Sequence, residues 1–293
     1  MKRRDILQPG ILVTGTGGFV GGAVARGLHA TGEYEVIGIS HKIDPELEAH
    51  GVRLLQCDLE KGLALDERVD FIIHCAAVQD FEVLQVKDFI EANLAITENI
   101  ANFGKLAGVK GIIYTSSVSL HGEIRNGEID ELSDRINPSF FGVSKYLCET
   151  LLRNYGAYFP TIALRLCGVA GHGAKRIWLS KVKSQAVNGK DITIVNADKP
   201  FNNLVHMDDL LRFIQLLIKR GFSGFNAFPI ASRELVTIRE VVNEVIKGLG
   251  SSSRIVDKGS TENSFVISSS FATEQFGYEP SSVLDNLRKF IQS

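Results

Sequence analysis

The sequence predicts an α/β fold in which a doubly wound parallel sheet carries a smaller, interleaved C-terminal lobe. Three observations carry this expectation. Short apolar, β-branched runs alternate with helical stretches through the first half of the chain. The strand-like runs are almost continuously apolar, as in strands covered on both faces by helices. The first of them ends in a glycine-rich turn that opens a helix.

Taken in order, strands are expected at 11–14, 36–40, 53–57, 71–75, 112–116 and 161–167, and helices over about residues 19–31, 84–107, 139–156 and 176–188. After residue 170 the pattern loosens. It continues with a strand-like piece at 192–196, a helix over 208–219, an apolar run at 225–230, a helix beginning near Thr237, and a polar tail that includes Ser251, Ser252 and Ser253. The expected division is therefore a sheet domain over 1–167 and, over 168–293, mainly a second lobe interleaved with it.

Composition excludes several classes. With 44% hydrophobic and 23% charged residues in 293, the chain is globular and large enough for a sizeable core. Its 32 Lys and Arg balance 34 Asp and Glu, which gives no electrostatic case for nucleic acid or an anionic membrane as partner. No apolar run approaches the roughly 18 residues of a membrane span. Residues 1–5 are basic, but no signal-like apolar stretch follows them. The four cysteines, Cys57, Cys75, Cys148 and Cys167, form no C-x-x-C pair. They are expected to be reduced, buried thiols of a cytoplasmic protein, and no metal site is expected.

Residues 10–21 read strand, turn and helix start, with Gly15, Gly18 and Gly21 in the spacing G-x-x-G-x-x-G and Phe19 and Val20 opening the helix. Such glycines allow the tight turn, the approach of a pyrophosphate to the backbone, and close helix–strand packing. The helix N-terminus then offers N–H donors to the phosphates. Residues 1–167 are accordingly expected to bind a dinucleotide. The second strand ends at Ser40, His41 and Lys42, where a carboxylate would take the ribose hydroxyls of NAD. Ser, His and Lys would instead accept a 2′-phosphate, so NADP is expected to be preferred over NAD. Small alanines at Ala76 and Ala77 would let the backbone run beneath the cofactor.

Further segments match a known pattern in the correct order. Tyr114 to Gly122 is a serine-rich stretch, Tyr-Thr-Ser-Ser-Val-Ser-Leu-His-Gly. Pro138 is followed by Phe141-Gly142-Val143-Ser144-Lys145, then come Arg165 to Gly171 and Val205-His206-Met207-Asp208-Asp209. With the glycine turn and Cys57-Asp58-Leu59, these resemble the extended short-chain dehydrogenase/reductases, in particular the NAD-dependent epimerase/dehydratase family, over nearly the whole chain. The resemblance implies a Rossmann domain with a substrate-binding lobe. It makes Ser117 the catalytic serine and Lys145 the catalytic lysine that also holds the nicotinamide ribose, and it puts Asp58 and Leu59 against the adenine. It also implies a nucleotide-sugar substrate and a homodimer built on helices 84–107 and 139–156, where Phe89, Ile96, Ile100 and Phe103 recur at helical spacing.

The family pattern has tyrosine where this chain has Phe141. A phenyl ring neither donates nor accepts a proton. Three explanations stand: an engineered Tyr→Phe change, a natural variant drawing its proton from water, Ser117 or another acid, or a binding protein that has lost catalysis. His121, in the place of a usual tyrosine, is a candidate substrate contact and proton source, with an ordinary loop histidine as the alternative. Lys175, Arg176 and Lys181 are candidates for the diphosphate, and Asn202 and Asn203 for sugar or phosphate. Gly168, where an asparagine is usual, and a reduced lobe favour reduction of a 4-keto sugar over epimerisation or dehydration.

Overall fold

The computed structural model describes residues 8–78, 85–125, 127–260 and 264–293; the basic N-terminal residues 1–5 and residue 84 of the helix expected over 84–107 lie outside them. The chain opens with β1 (Gly10–Thr14), α1 (Phe19–Ala30), β2 (Glu35–Ser40), α2 (Pro45–Ala49) and β3 (Arg53–Gln56). It continues through β4 (Phe71–His74), α3 (Val86–Ala107), β5 (Gly111–Ser117), β6 (Glu128–Ile129), α4 (Phe140–Asn154), β7 (Thr161–Leu166) and β8 (Gly168–Ala170). Then follow α5 (Trp178–Val187), β9 (Ile192–Ile194), β10 (Pro200–Phe201), β11 (Leu204–His206), α6 (Met207–Arg220) and β12 (Phe225–Ile230). The remainder is β13 (Val236–Thr237), α7 (Ile238–Gly248), β14 (Ile255–Asp257), β15 (Val266–Ile267), α8 (Ser270–Phe276) and α9 (Val283–Gln292).

A seven-stranded sheet has the order β12-β7-β5-β4-β1-β2-β3, with β1 parallel to both β2 and β4. The chain runs from β1 outward to β3, then returns to β4 on the other side of β1. This reversal is the topological switch point, where ligands of such folds bind beyond the strand carboxyl ends. All five residues of β1 and all four of β4 are buried, as the apolar runs require. Helix α3 turns Phe89, Ile96, Ile100 and Phe103 into the core, each at most 7% exposed. The apolar spacing that pointed to a dimer face therefore belongs to the protomer's own interior.

Contacts divide the chain into two compact units: residues 1–116, 143–163 and 214–226, and residues 117–142, 164–213 and 227–293. A single cut at 167 does not describe this division, because residues 117–142 group with the second unit and α6 is split between the two. The second unit packs Leu179, Val182, Val241, Val245, Val283, Leu287 and Phe290 into one core. The expected polar tail is thus structured. Val283, Leu287 and Phe290 recur at helical spacing among polar neighbours, and this stripe folds α9 against α7.

Asp209 organises this unit. It sits in the first turn of α6, 1% exposed, and accepts hydrogen bonds from Ser281 N (2.9 Å), Ser281 Oγ (2.8 Å) and Asn286 Nδ2 (3.1 Å), with Arg212 also paired to it. Burial alone would raise its pKa; the Ser281 N–H, Asn286, the Ser281 hydroxyl and Arg212 outweigh it and hold the carboxyl below its usual range. A carboxylate with a lowered native pKa stabilises the fold above its unfolded pKa of about 4, and that stability is lost as pH falls through the native value. Asp209→Asn is expected to cost about 2–3 kcal/mol at pH 7, measured by urea unfolding. The gap to wild type should close below about pH 4. A gap independent of pH would refute this account.

Candidate active site

The glycine turn is built by contact. Gly15 has φ +73°, and a Cβ there would lie 2.7 Å from Ala76 N. A Cβ on Gly21 would lie 2.3 Å from Gly15 O. No L side chain fits either place. Gly18 is exposed and meets only Gly15 O, at 3.3 Å, so the protein itself leaves room before it. Gly18 is also the N-cap of α1 and supplies no side-chain cap, so the first N–H groups of a 12-residue helix remain open to an anion. Phe19 and Val20 follow, half-buried.

Beneath this turn, buried polar groups join β1 to β4. Thr14 Oγ1 lies 2.8 Å from His74 Nδ1 and accepts from Cys75 N (3.2 Å) and Ala76 N (3.1 Å). His74 Nε2 lies 3.2 Å from Thr97 Oγ1, which itself donates to Asn93 O at 2.8 Å. One proton arrangement satisfies the chain: Nε2–H donates to Thr97, and Thr14 O–H donates to Nδ1. His74 is then neutral, in keeping with a pKa lowered to about 3 by burial and by the Lys145 charge. Asn93 pairs with both backbone groups of Val78, at 2.8 and 3.1 Å, and so fixes the segment holding half-buried Ala76 and Ala77.

At the end of β2, the Ser40 hydroxyl donates to the Lys42 carbonyl and is committed to the turn, while His41 and Lys42 are exposed. Asp58 accepts from Lys61 Nζ at 2.9 Å and Glu60 N at 3.2 Å, with His41 Nε2 at 3.8 Å. The Lys61 hydrogen bond holds the Asp58 carboxyl below its usual range. Leu59 is buried, and its carbonyl takes Asn99 Nδ2 at 2.8 Å. All four cysteines are free; burial pushes the thiols of Cys75 and Cys167 up to about 12, so they are protonated at neutral pH.

Lys145 is 4% exposed, donates to Thr115 O at 2.9 Å and lies 4.7 Å from the Tyr114 ring centroid. Burial pushes its ammonium pKa down. In the second unit, Ser117 Oγ accepts from Ser119 N (3.1 Å) and from the Ser119 hydroxyl (2.8 Å), which leaves Ser117's own proton to donate elsewhere. Gly142 lets the first turn of α4 approach this stretch, since a Cβ there would lie 2.3 Å from Ser119 O. Ser139 caps that turn through Gly142 N at 3.2 Å, and Phe141 is half-buried within it.

Two expected contacts are corrected. His121 is fully buried, and its Nδ1 meets Ser133 O (3.1 Å) and Asp134 O (3.0 Å), so Nδ1 carries the proton and straps residues 133–134. Nε2 is buried without a partner, and burial pushes the ring pKa down, so His121 is a neutral strut and no proton source at neutral pH. Asn202 is 5% exposed, and its amide bonds Ser232 O (3.3 Å), Ile267 O (2.8 Å) and Ile267 N (2.9 Å), so both its N–H donors are spent on the chain's own backbone. Its neighbour Asn203 has a buried Oδ1 without a partner. Lys175, Arg176 and Lys181 are exposed.

Sequence reasoning passes over His74 and Asn93. A signal for Asn93 exists: it occupies a polar position on the apolar stripe between Phe89 and Ile96.

A doubly wound sheet with an open helix N-terminus and a backbone cradle at its switch point defines a dinucleotide-binding protein of the Rossmann type. The model of the NAD dependent epimerase/dehydratase family matches residues 11–230, and the chain belongs to that family. It is 26% identical over 272 residues to a dTDP-4-dehydro-6-deoxy-D-allose reductase of a Streptomyces species, covering 84% of this chain and 82% of that one. Among solved structures it is similar to an epimerase-like protein of Burkholderia cenocepacia, with TM-score 0.84, 20% identity and coverage of 98% and 97%. It is also similar to a Tyr-to-Phe mutant of a Bacillus cereus UDP-glucuronic acid 4-epimerase in complex with a fluorinated UDP-sugar acid and NAD, with TM-score 0.81, 22% identity and coverage of 97% and 98%.

Gly21→Ala tests the cradle. A methyl at 2.3 Å from Gly15 O displaces the turn. NADPH and NADH affinity by fluorescence titration should fall at least about tenfold, about 1.4 kcal/mol. Unchanged affinity for both would place the dinucleotide elsewhere.

Proposed function

We propose that this protein is an NAD(P)-dependent oxidoreductase acting on a nucleotide-linked sugar, most specifically on a 4-keto sugar that it reduces. The observation that carries this function is Lys145, 4% exposed, tied to the Thr115 carbonyl one helical turn beyond position 141. Withholding an ammonium from water costs free energy, which argues for a role beyond solubility. The reductase among its relatives, named for a dTDP-linked 4-dehydro sugar, supports the substrate class.

When bound, the nicotinamide supplies the hydride. Gly15, Gly18 and Gly21 with the open end of α1 would hold the pyrophosphate, Asp58 the adenine end, and Lys145 the nicotinamide ribose. Ser117, its oxygen taking two bonds from Ser119, would donate to the substrate oxygen. Lys175 and Arg176 are exposed and are the candidates for contact with a diphosphate. A preference for NADP is supported by β2 ending without a carboxylate, in Ser40, His41 and Lys42, the last two exposed. A homodimer remains part of the proposal, resting on exposed Tyr146 and Leu147 of α4, and a monomer in solution scattering would refute it.

Phe141 favours one second function, that of a dinucleotide-binding family member without turnover. The similar Bacillus cereus structure bears the same chemical exchange, Tyr to Phe, and its complex retains NAD and a sugar nucleotide, as its name states.

The deciding experiment is oxidation of NADPH and NADH with a panel of 4-keto sugar nucleotides, for the chain as it stands and for Phe141→Tyr. Turnover should rise by at least about 100-fold on restoring the hydroxyl, the range of one general acid. If neither form turns over although cofactor binds, the reductase assignment is wrong, and epimerisation, dehydration or non-catalytic binding takes its place. In the same titrations NADPH should bind tighter than NADH, and His41→Ala should narrow the difference; equal or tighter NADH binding excludes the NADP preference.

A further inference from the structure

Glu149 has no part in the chemistry assigned so far, yet it is built into the same clamp. It lies one helical turn beyond Lys145 on α4, is 2% exposed, and its Oε1 accepts the Ser116 hydroxyl at 2.6 Å. Lys145 Nζ donates to the carbonyl of the preceding strand residue, Thr115, at 2.9 Å. Two successive residues of β5 therefore grip two successive turns of α4. Side chains four apart on a helix are neighbours, so the carboxylate and the ammonium share one buried face. Burying a carboxyl group is costly unless it is hydrogen-bonded, and the Ser116 hydroxyl gives Glu149 such a partner.

The neighbours of Lys145 sharpen its role. Burial disfavours the ammonium, and Cys148, Cys75 and Glu149 are the groups that act against burial. The two thiols are themselves raised by burial, Cys75 to about 12, so neither is an anion near neutrality. His74 is held neutral, and Tyr114 is pushed well above its ordinary value by burial. Glu149 is the one carboxylic acid among the groups that act against burial at Lys145.

We propose that Glu149 is a positioning residue: its buried carboxylate is the counter-charge that holds the Lys145 ammonium, and through Ser116 it fixes the end of β5 that leads into Ser117. This holds only if the chain binds a nicotinamide dinucleotide through Lys145, as proposed above. The apolar Tyr114 ring face adds to the attraction but cannot replace a full charge.

The test is fluorescence titration of NADPH and NADH from pH 6 to 10 with the full chain, Glu149→Gln, Glu149→Asp and Ser116→Ala, with melting temperatures at each pH. Removing a nearby anion lets Lys145 lose its proton at lower pH. Glu149→Gln should bind close to wild type at pH 6 and then lose affinity at least about one pH unit earlier, roughly a tenfold deficit in the intervening range. Glu149→Asp should restore part of the profile, and Ser116→Ala should move it the same way by less. A lower melting temperature with an unmoved affinity profile would make Glu149 merely structural and overturn the proposal. If Glu149→Gln does not fold, Ser116→Ala decides, and an unmoved profile there overturns it equally. Binding of neither dinucleotide by the unaltered chain would instead sink the oxidoreductase proposal beneath it, an outcome distinct from binding with superimposable profiles.

Discussion

The candidate site depends on how closely two strand ends approach at the switch point. Gly15 leaves β1 in a left-handed conformation, with Ala76 N where a side chain would begin. Gly21 then lets α1 close down on the Gly15 carbonyl. Under the turn, Thr14, His74 and Thr97 lock the strand ends through hydrogen bonds that are complete only while His74 is neutral. A protonated ring would place a second N–H against Thr14, whose oxygen already accepts two backbone donors. Burial and the charge of Lys145 together keep that proton off. The phosphate cradle and the buried lysine are therefore linked electrically as well as by the sheet.

The order of strands and helices was legible in the sequence because it rests on local periodicity. The glycine triplet was legible because two of its members, Gly15 and Gly21, stand where no side chain fits. Polar residues were harder, since a polar side chain reads the same whether it meets a ligand or its own backbone. His121 and Asn202 show this: both looked available, and both are consumed by carbonyls and amides of the chain. Asn93, His74 and Glu149 show the converse. Each stands on an otherwise apolar face or strand, and that misfit was the only trace of its role. Helix α9 escaped for another reason: its three core residues are diluted by Asp285, Asn286, Arg288 and Lys289, so composition conceals a stripe that periodicity reveals.

The glycine cradle, the His74 network and Lys145 belong to the first unit, and Ser117 and Phe141 to the second. The chain passes from one unit to the other inside β5 and inside α4. Ser116 and Glu149 sit on these crossing elements, which is why a hydrogen bond between them bears on the register of both.

The turn around position 141 carries a consequence of its own. Its cap comes from Ser139 and its close fit from Gly142 against Ser119, contacts that ask nothing of a hydroxyl at 141. Phenylalanine and tyrosine codons differ by a single base. A lineage bearing this chain stands one point mutation from the oxygen its motif lacks. Selection could silence or revive proton transfer at this position through that one base.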